Sequence, residues 1–195
     1  SQVGDDLTNF PVYVDLSDLG STFFTEVASD GSDIRITDEL ATTEFAYDLV
    51  DIDTGPETGQ LHFLASTTIS STTDTTFYLY FGNEGATAYG PTDPLGSQAV
   101  WANDYLAVYH LEEDAAGRSN ANLYQDSTSN GYDADDELNS TGKAGLIGDG
   151  QQINAQGDPN EYMLLPSDIV TGETQLYFSY WLNSTETNDQ ALING

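Results

Sequence analysis

Residues 10–16 read FPVYVDL, and their side chains alternate in the period of a β-strand, with Phe10, Val12, Val14 and Leu16 on one side. A turn follows at Ser29, Asp30, Gly31 and Ser32, and then DIRIT at Asp33–Thr37 places Ile34 and Ile36 on one face. FAYDLVDI (Phe45–Ile52), QLHFLA (Gln60–Ala65) and TFYLYF (Thr76–Phe81) repeat the pattern, each bounded by Gly, Pro, Asp or Ser and rich in β-branched or aromatic residues. Short strands at regular spacing with turns between them predict an antiparallel sandwich, and the fold class is all-β.

The periodicity stops at Gly82–Gln98 (GNEGATAYGPTDPLGSQ), where glycines, Pro91 and Pro94 crowd together. A domain boundary is placed there, giving a first β-sandwich at 1–96 and a second at 97–195. The second unit is predicted to contain strands at Leu106–Leu111 (LAVYHL), Tyr162–Leu165 (YMLL) and Leu176–Leu182 (LYFSYWL). The last is apolar on both faces, as in a central strand between two layers, and Trp101 and Trp181 are expected to be buried. Glu112–Asn160 is polar and rich in Gly, Asn and Asp, too long for one plain connection unless it holds short strands or a binding loop. No amphipathic helix is predicted.

The chain carries 33 Asp and Glu against 3 Lys and Arg, a formal net charge of −30 over 195 residues. Such self-repulsion is tolerated where counter-ions are plentiful, which predicts saline or divalent-rich surroundings outside a cell and excludes nucleic acid and anionic bilayers as partners. With 12 Tyr, 8 Phe and 2 Trp, the chain has far more core formers than a disordered acidic tail, so the acid is a coat on a folded body. Cysteine is absent, leaving core burial and hard-cation binding by oxygen ligands as the stabilising terms. No run approaches the roughly 18 apolar residues that cross a bilayer, so direct membrane insertion is not expected. No basic, apolar leader precedes Ser1, and an export signal is expected to have been removed or to lie further upstream.

Several blocks resemble known families. LTNFPVYVDLSDL (Leu7–Leu19), SDGSDIRITD (Ser29–Asp38), FAYDLVDID (Phe45–Asp53) and FYLYFGN (Phe77–Asn83) resemble the bacterial and archaeal extracellular domain DUF2341. VYHLEED (Val108–Asp114), DSTSNGYDA (Asp126–Ala134), GLIGDGQQI (Gly145–Ile153), EYMLLPS (Glu161–Ser167) and YFSYWLN (Tyr177–Asn183) resemble the N-terminal part of the concanavalin A-like, laminin-G-like jelly roll. The resemblance implies neighbouring domains of a large secreted or surface-anchored protein, often an adhesin. It also implies that the second unit is an incomplete jelly roll, to be completed by further sequence or by another chain.

The chemistry-bearing residues favour binding over catalysis. His62 and His110 lie in predicted strands, where packing roles dominate, and no G-x-S-x-G nucleophile elbow occurs. Glu112, Glu113 and Asp114 lack the alternation of paired glycosidase acids, which leaves a fragment of a polysaccharide-degrading enzyme as a lesser alternative. Asp126 to Gly131 (DSTSNG) is read either as half of a calcium loop, with Asp126, Asn130 and Asp149 as ligands, or as an Asx turn with Gly131 at positive φ. Tyr124, Tyr132 and Tyr162 with Asn130 are the candidate sugar contacts, because a sugar ring stacks on an aromatic face while amides take its hydroxyls. The expectation is a non-enzymatic extracellular or cell-surface module, with Ca2+ as its cofactor. Its expected partner is a glycan or cell-surface polysaccharide, or neighbouring copies in an envelope, stalk or filament.

Overall fold

The computed structural model describes residues 3–115, 118–139, 142–153 and 160–183. Phe10–Asp15 (β1), Tyr47–Asp53 (β3) and Thr58–Ala65 (β4) form an antiparallel sheet in the order β1-β4-β3. Arg35–Asp38 (β2) and Phe77–Tyr80 (β5) pair as a second antiparallel sheet. Each falls on a predicted strand, because alternation of large apolar with polar side chains is stable only where one face is covered.

The two sheets share one core. Val12, Val14 and Leu16 meet Leu61, Phe63 and Ala65 across the first sheet, and Ile36, Phe77 and Leu79 close on them from the second. Phe45, Phe63 and Phe77 pack at centroid separations of 4.9–5.9 Å. Burying one such side chain contributes about 1.5–3 kcal/mol. Phe10 lies at the end of the row and is largely exposed. The turn at 29–32 requires its glycine: Gly31 has φ +66°, and a Cβ there would sit 2.3 Å from Leu49 Cδ2.

Two elements were not foreseen. A short 3₁₀ turn at Leu16–Leu19 leads into helix α1 (Ser21–Glu26), which buries Phe23 and Phe24 at one end of the core. Helix α2 (Ser97–Val100) lies against β3 and β4, on the far side of the first sheet from that core. Val100 and Trp101 pack there on Ala46, with Leu64 and Val108 beside them.

Farther along, Asn120–Tyr124 (β6), Ala134–Asp136 (β7) and Met163–Leu164 (β10) form a small antiparallel sheet, and Lys143–Ala144 (β8) pairs with Asp149–Gly150 (β9). The long polar stretch therefore does contain short strands. Tyr124, Ala134 and Leu138 form a third buried cluster with Tyr109, Leu111 and Met163 against it.

Two expectations are corrected. Leu106–Leu111 is not in a ladder: Val108 N donates to the Asp126 carboxylate, Val108 O accepts from Ser127 N, and Leu111 turns to φ +62°. Side chains and loop amides there replace a neighbouring strand, while Val108 and His110 still point opposite to Tyr109 and Leu111. Leu176–Leu182 pairs with no strand among the described residues, and its large side chains stand in solvent, with Trp181 73% exposed. An alternating sequence becomes a strand only where another strand supplies hydrogen bonds and a covered face.

Candidate functional site

The strand order β1-β4-β3 sets Tyr13, His62 and Asp48 side by side in one cross-strand row. This row lies on the face away from the main core, because positions 13, 48 and 62 alternate with core residues 12, 14, 47, 61 and 63. Trp101, following α2, and His110 come down onto it. The chain's two histidines, 48 residues apart, stack at 5.2 Å between centroids with 25° between their planes. His62 also touches Tyr13 at 5.3 Å and Trp101 at 5.2 Å.

Asp48 ties the group together and is 7% exposed. Its Oδ2 accepts from Trp101 Nε1 at 2.8 Å and lies 2.9 Å from His110 Nε2. An ionised carboxylate only accepts, so His110 Nε2 carries the proton of that bond. Burial works to raise the Asp48 pKa, but the His110 bond and charge, the indole N–H and His62 overcome it and hold the carboxyl below its ordinary value. His62 responds in the opposite way. Burial, with His110 beside it and only partly offset by Asp48, pulls its pKa down to about 4, and its buried Nδ1 has no hydrogen-bond partner among the described residues. One step along, Gln60 Nε2 donates to Glu112 Oε1 at 2.7 Å, adding a second polar tie between the first sheet and the 108–112 segment.

The arrangement is a joint. Neither imidazole is hydrogen-bonded to a hydroxyl among the described residues, and His110 spends its Nε2 on a carboxylate already loaded by an indole. Sequence reading assigned both histidines to packing but did not bring them together with Asp48 and Trp101. The one available signal was Asp48, flanked by Phe45, Ala46, Tyr47, Leu49 and Val50 in FAYDLVDI, since a carboxylate among such residues demands a buried donor.

The segment Asp126–Gly131, read either as half of a calcium loop or as an Asx turn, is laced by hydrogen bonds. Asp126 Oδ1 accepts from Val108 N and Thr128 N at 3.0 and 2.9 Å, and Oδ2 from Thr128 Oγ1 and Tyr132 N at 2.8 and 3.0 Å. Asp126 N donates to Asp133 Oδ1, the Thr128 N bond to Asp126 Oδ1 is an Asx turn, and Gly131 takes φ +70°. Asn130 Nδ2 is spent on the carbonyls of Tyr105 and Leu106. Asp149 lies elsewhere, on β9, with its N–H on Glu112. Among the described residues, no group of three or more His, Asp or Glu is placed to hold a metal ion.

The proposed sugar contacts also divide. Tyr124 is fully buried, and its hydroxyl donates to Asp136 Oδ1 at 3.0 Å, so its ring offers no face to a ligand. Burial and then that carboxylate raise its pKa. Tyr132 is half-buried, its carbonyl accepting from Tyr109 Oη, whereas Tyr162 is exposed. Asn130 and Tyr132 belong to the Asp126 turn, and Tyr162 lies beside β10.

Interior acids elsewhere follow one rule. Asp33 accepts from the amides of Ala28, Gly82 and Asn83, and Asp136 accepts from Tyr124 Oη, Leu138 N and Asn120 Nδ2. With few cations to pair with, carboxylates are held inside by N–H and O–H donors. No family model, no curated protein and no solved structure matches this chain.

Proposed function

We propose that this chain is a non-catalytic module of an extracellular or cell-surface protein, and that it binds carbohydrate. The observation that carries the reading is the division of labour among its side chains. Both histidines and the interior carboxylates hold loops and strands together, whereas the rings of Tyr78, Tyr80, Tyr105 and Tyr162 are exposed to solvent. Aromatic faces beside hydrogen-bonding groups are the chemistry of sugar recognition. A net charge of −30 favours neutral glycans over anionic ones. The two-sandwich architecture, with a jelly roll as its second unit, belongs to the same proposal.

A glycan array probed with and without Ca2+ tests the reading. Retention on neutral glycans is the expected result. Binding to none of them would remove carbohydrate as the partner, and binding only with Ca2+ would add the cation to the site.

A second reading has its own observation. Leu176–Leu182 exposes Tyr177, Phe178, Tyr180 and Trp181 in an uncharged stretch with no ladder partner among the described residues. Such a stretch is a ready partner for another strand, which supports a role in an assembly of neighbouring copies. Concentration-dependent mass measured by sedimentation, lost on Phe178→Asp, is the outcome expected of an assembly subunit.

A further inference from the structure

The two sheets that share the main core are joined along one side and open along the other. On the joined side the chain passes from one sheet to the next: Phe45 N donates to Ile36 O and Asp38 N to Thr43 O beyond β2, and β3 begins at Tyr47. On the other side β1 and β5 are both edge strands, and a cavity of about 360 Å3 lies between them. Val14 and Phe63 line it from the first sheet, Phe77 and Leu79 from the second and Phe23 from α1, with Leu19 and Phe81 exposed at its rim.

Ladder alternation fixes what the β5 edge offers. Ile36 and Asp38 turn their backbone groups away from β5, so Arg35 and Thr37 bond to their partners Tyr80 and Tyr78, and Phe77 and Leu79 turn theirs outward. Those outward groups bond to no described residue. Exposed edges are ordinarily guarded by charge, yet in a chain with 33 acidic residues Phe77–Tyr80 carries none.

We propose that the Leu176–Leu182 segment of a second copy fills this cleft, adding to β5 as a strand and turning Phe178 inward. The proposal rests on the assembly reading above and names the surface that receives the segment. Charge selects the occupant: the segment and the cleft lining are both uncharged, whereas a net charge of −30 opposes contact between copies over the acidic coat. Backbone chemistry selects its form. An extended segment meets the outward groups of Phe77 and Leu79, which an acyl chain or a helix with its own backbone bonds does not. Phe178 alternates with Tyr177 and Ser179, as a strand with one face inside requires, and within its own copy the segment has no ladder partner among the described residues.

The test combines sedimentation with disulfide trapping on the whole chain, which has no cysteine of its own. With Phe178 inward, Tyr177 or Ser179 comes to lie opposite Tyr78 on the outer face, within reach of a disulfide. Leu19→Asp places a charge at the rim without altering a buried side chain. The expected results are a mass that rises with concentration, and loss of that rise in Leu19→Asp at an unchanged melting temperature. A mixed disulfide is expected between Tyr78→Cys and either Tyr177→Cys or Ser179→Cys, told from homodimers by mass, and none between Tyr78→Cys and Tyr162→Cys. Association kept in Leu19→Asp with no mixed disulfide overturns the cleft and leaves the assembly reading standing. Absence of both association and disulfide overturns both. A disulfide closed within one chain of the Tyr78→Cys, Tyr177→Cys double variant, without association, overturns the second copy as occupant. Where Leu19→Asp does not fold, the mixed disulfide decides alone.

Discussion

Asp48 and His110, 62 residues apart in sequence, meet at 2.9 Å through Oδ2 and Nε2, and the contact joins the first sheet to the segment that leads into the rest of the chain. The same oxygen takes the Trp101 indole N–H, so one buried carboxylate fixes two elements from outside its own sheet. His62 is stacked against this pair with its pKa at about 4.

Acid therefore loosens the joint. An unfolded chain takes up a proton on His62 near pH 6.5, whereas the folded chain does so only near pH 4. The stability present above pH 6.5 falls as pH drops toward about 4, by about 3 kcal/mol at roughly 1.4 kcal/mol per unit, and then levels with respect to this group. Asp48, held below its ordinary value, loses its contribution only at lower pH, as pH falls through its folded pKa. Urea denaturation across this range is expected to show the slope in the native chain and a flatter profile in His62→Phe. An unchanged slope in that variant would assign the acid sensitivity to other groups.

The two tryptophans report opposite environments. Trp101 is 6% exposed and Trp181 is 73% exposed. Acrylamide is expected to quench one component readily and leave a blue-shifted one protected. Trp181→Phe removes the first and Trp101→Phe the second; protection of both in the native chain would show Trp181 covered in solution.

Asp136 is fully buried and holds Tyr124 Oη, Leu138 N and Asn120 Nδ2. Asp136→Ala leaves those donors without their acceptor and is expected to cost about 3 kcal/mol or more in chemical denaturation. Tyr124→Phe removes one of the three bonds and is expected to cost about 1 kcal/mol.

At Asp126 four donors already occupy the two oxygens, and a cation would have to displace them. The expected outcome is a melting temperature that moves with neither Ca2+ nor EDTA, and a lower one in Asp126→Ala, which frees the Val108 and Tyr132 amides. A Ca2+-dependent rise reversed by EDTA would make the turn a metal site.

Screening acts on the whole acidic coat. Stability is expected to rise from dilute buffer to molar NaCl as repulsion among the carboxylates weakens. Equal stability in both would separate the acidity from salt adaptation.

The strands between residues 10 and 80 were legible because local sequence and environment agree there. Val12, Val14, Leu61 and Phe63 alternate with polar residues, and each finds a covered face. The Asp126 turn was legible for a similar reason: DSTSNG closes on itself through hydrogen bonds two to six residues apart. Leu176–Leu182 carries the same local signal, yet strand formation depends on a neighbour that the pattern does not encode.

Composition and period-two patterning alone determined an acid-coated, cysteine-free β-protein and the places where its first five strands run. Tertiary structure decided what those strands bring together. Register set His62 between Tyr13 and Asp48, and the return of the chain laid Trp101 and His110 over them. The physical reason is range: side-chain alternation acts between near neighbours in sequence, whereas a buried carboxylate must find its donors in space, wherever along the chain they lie.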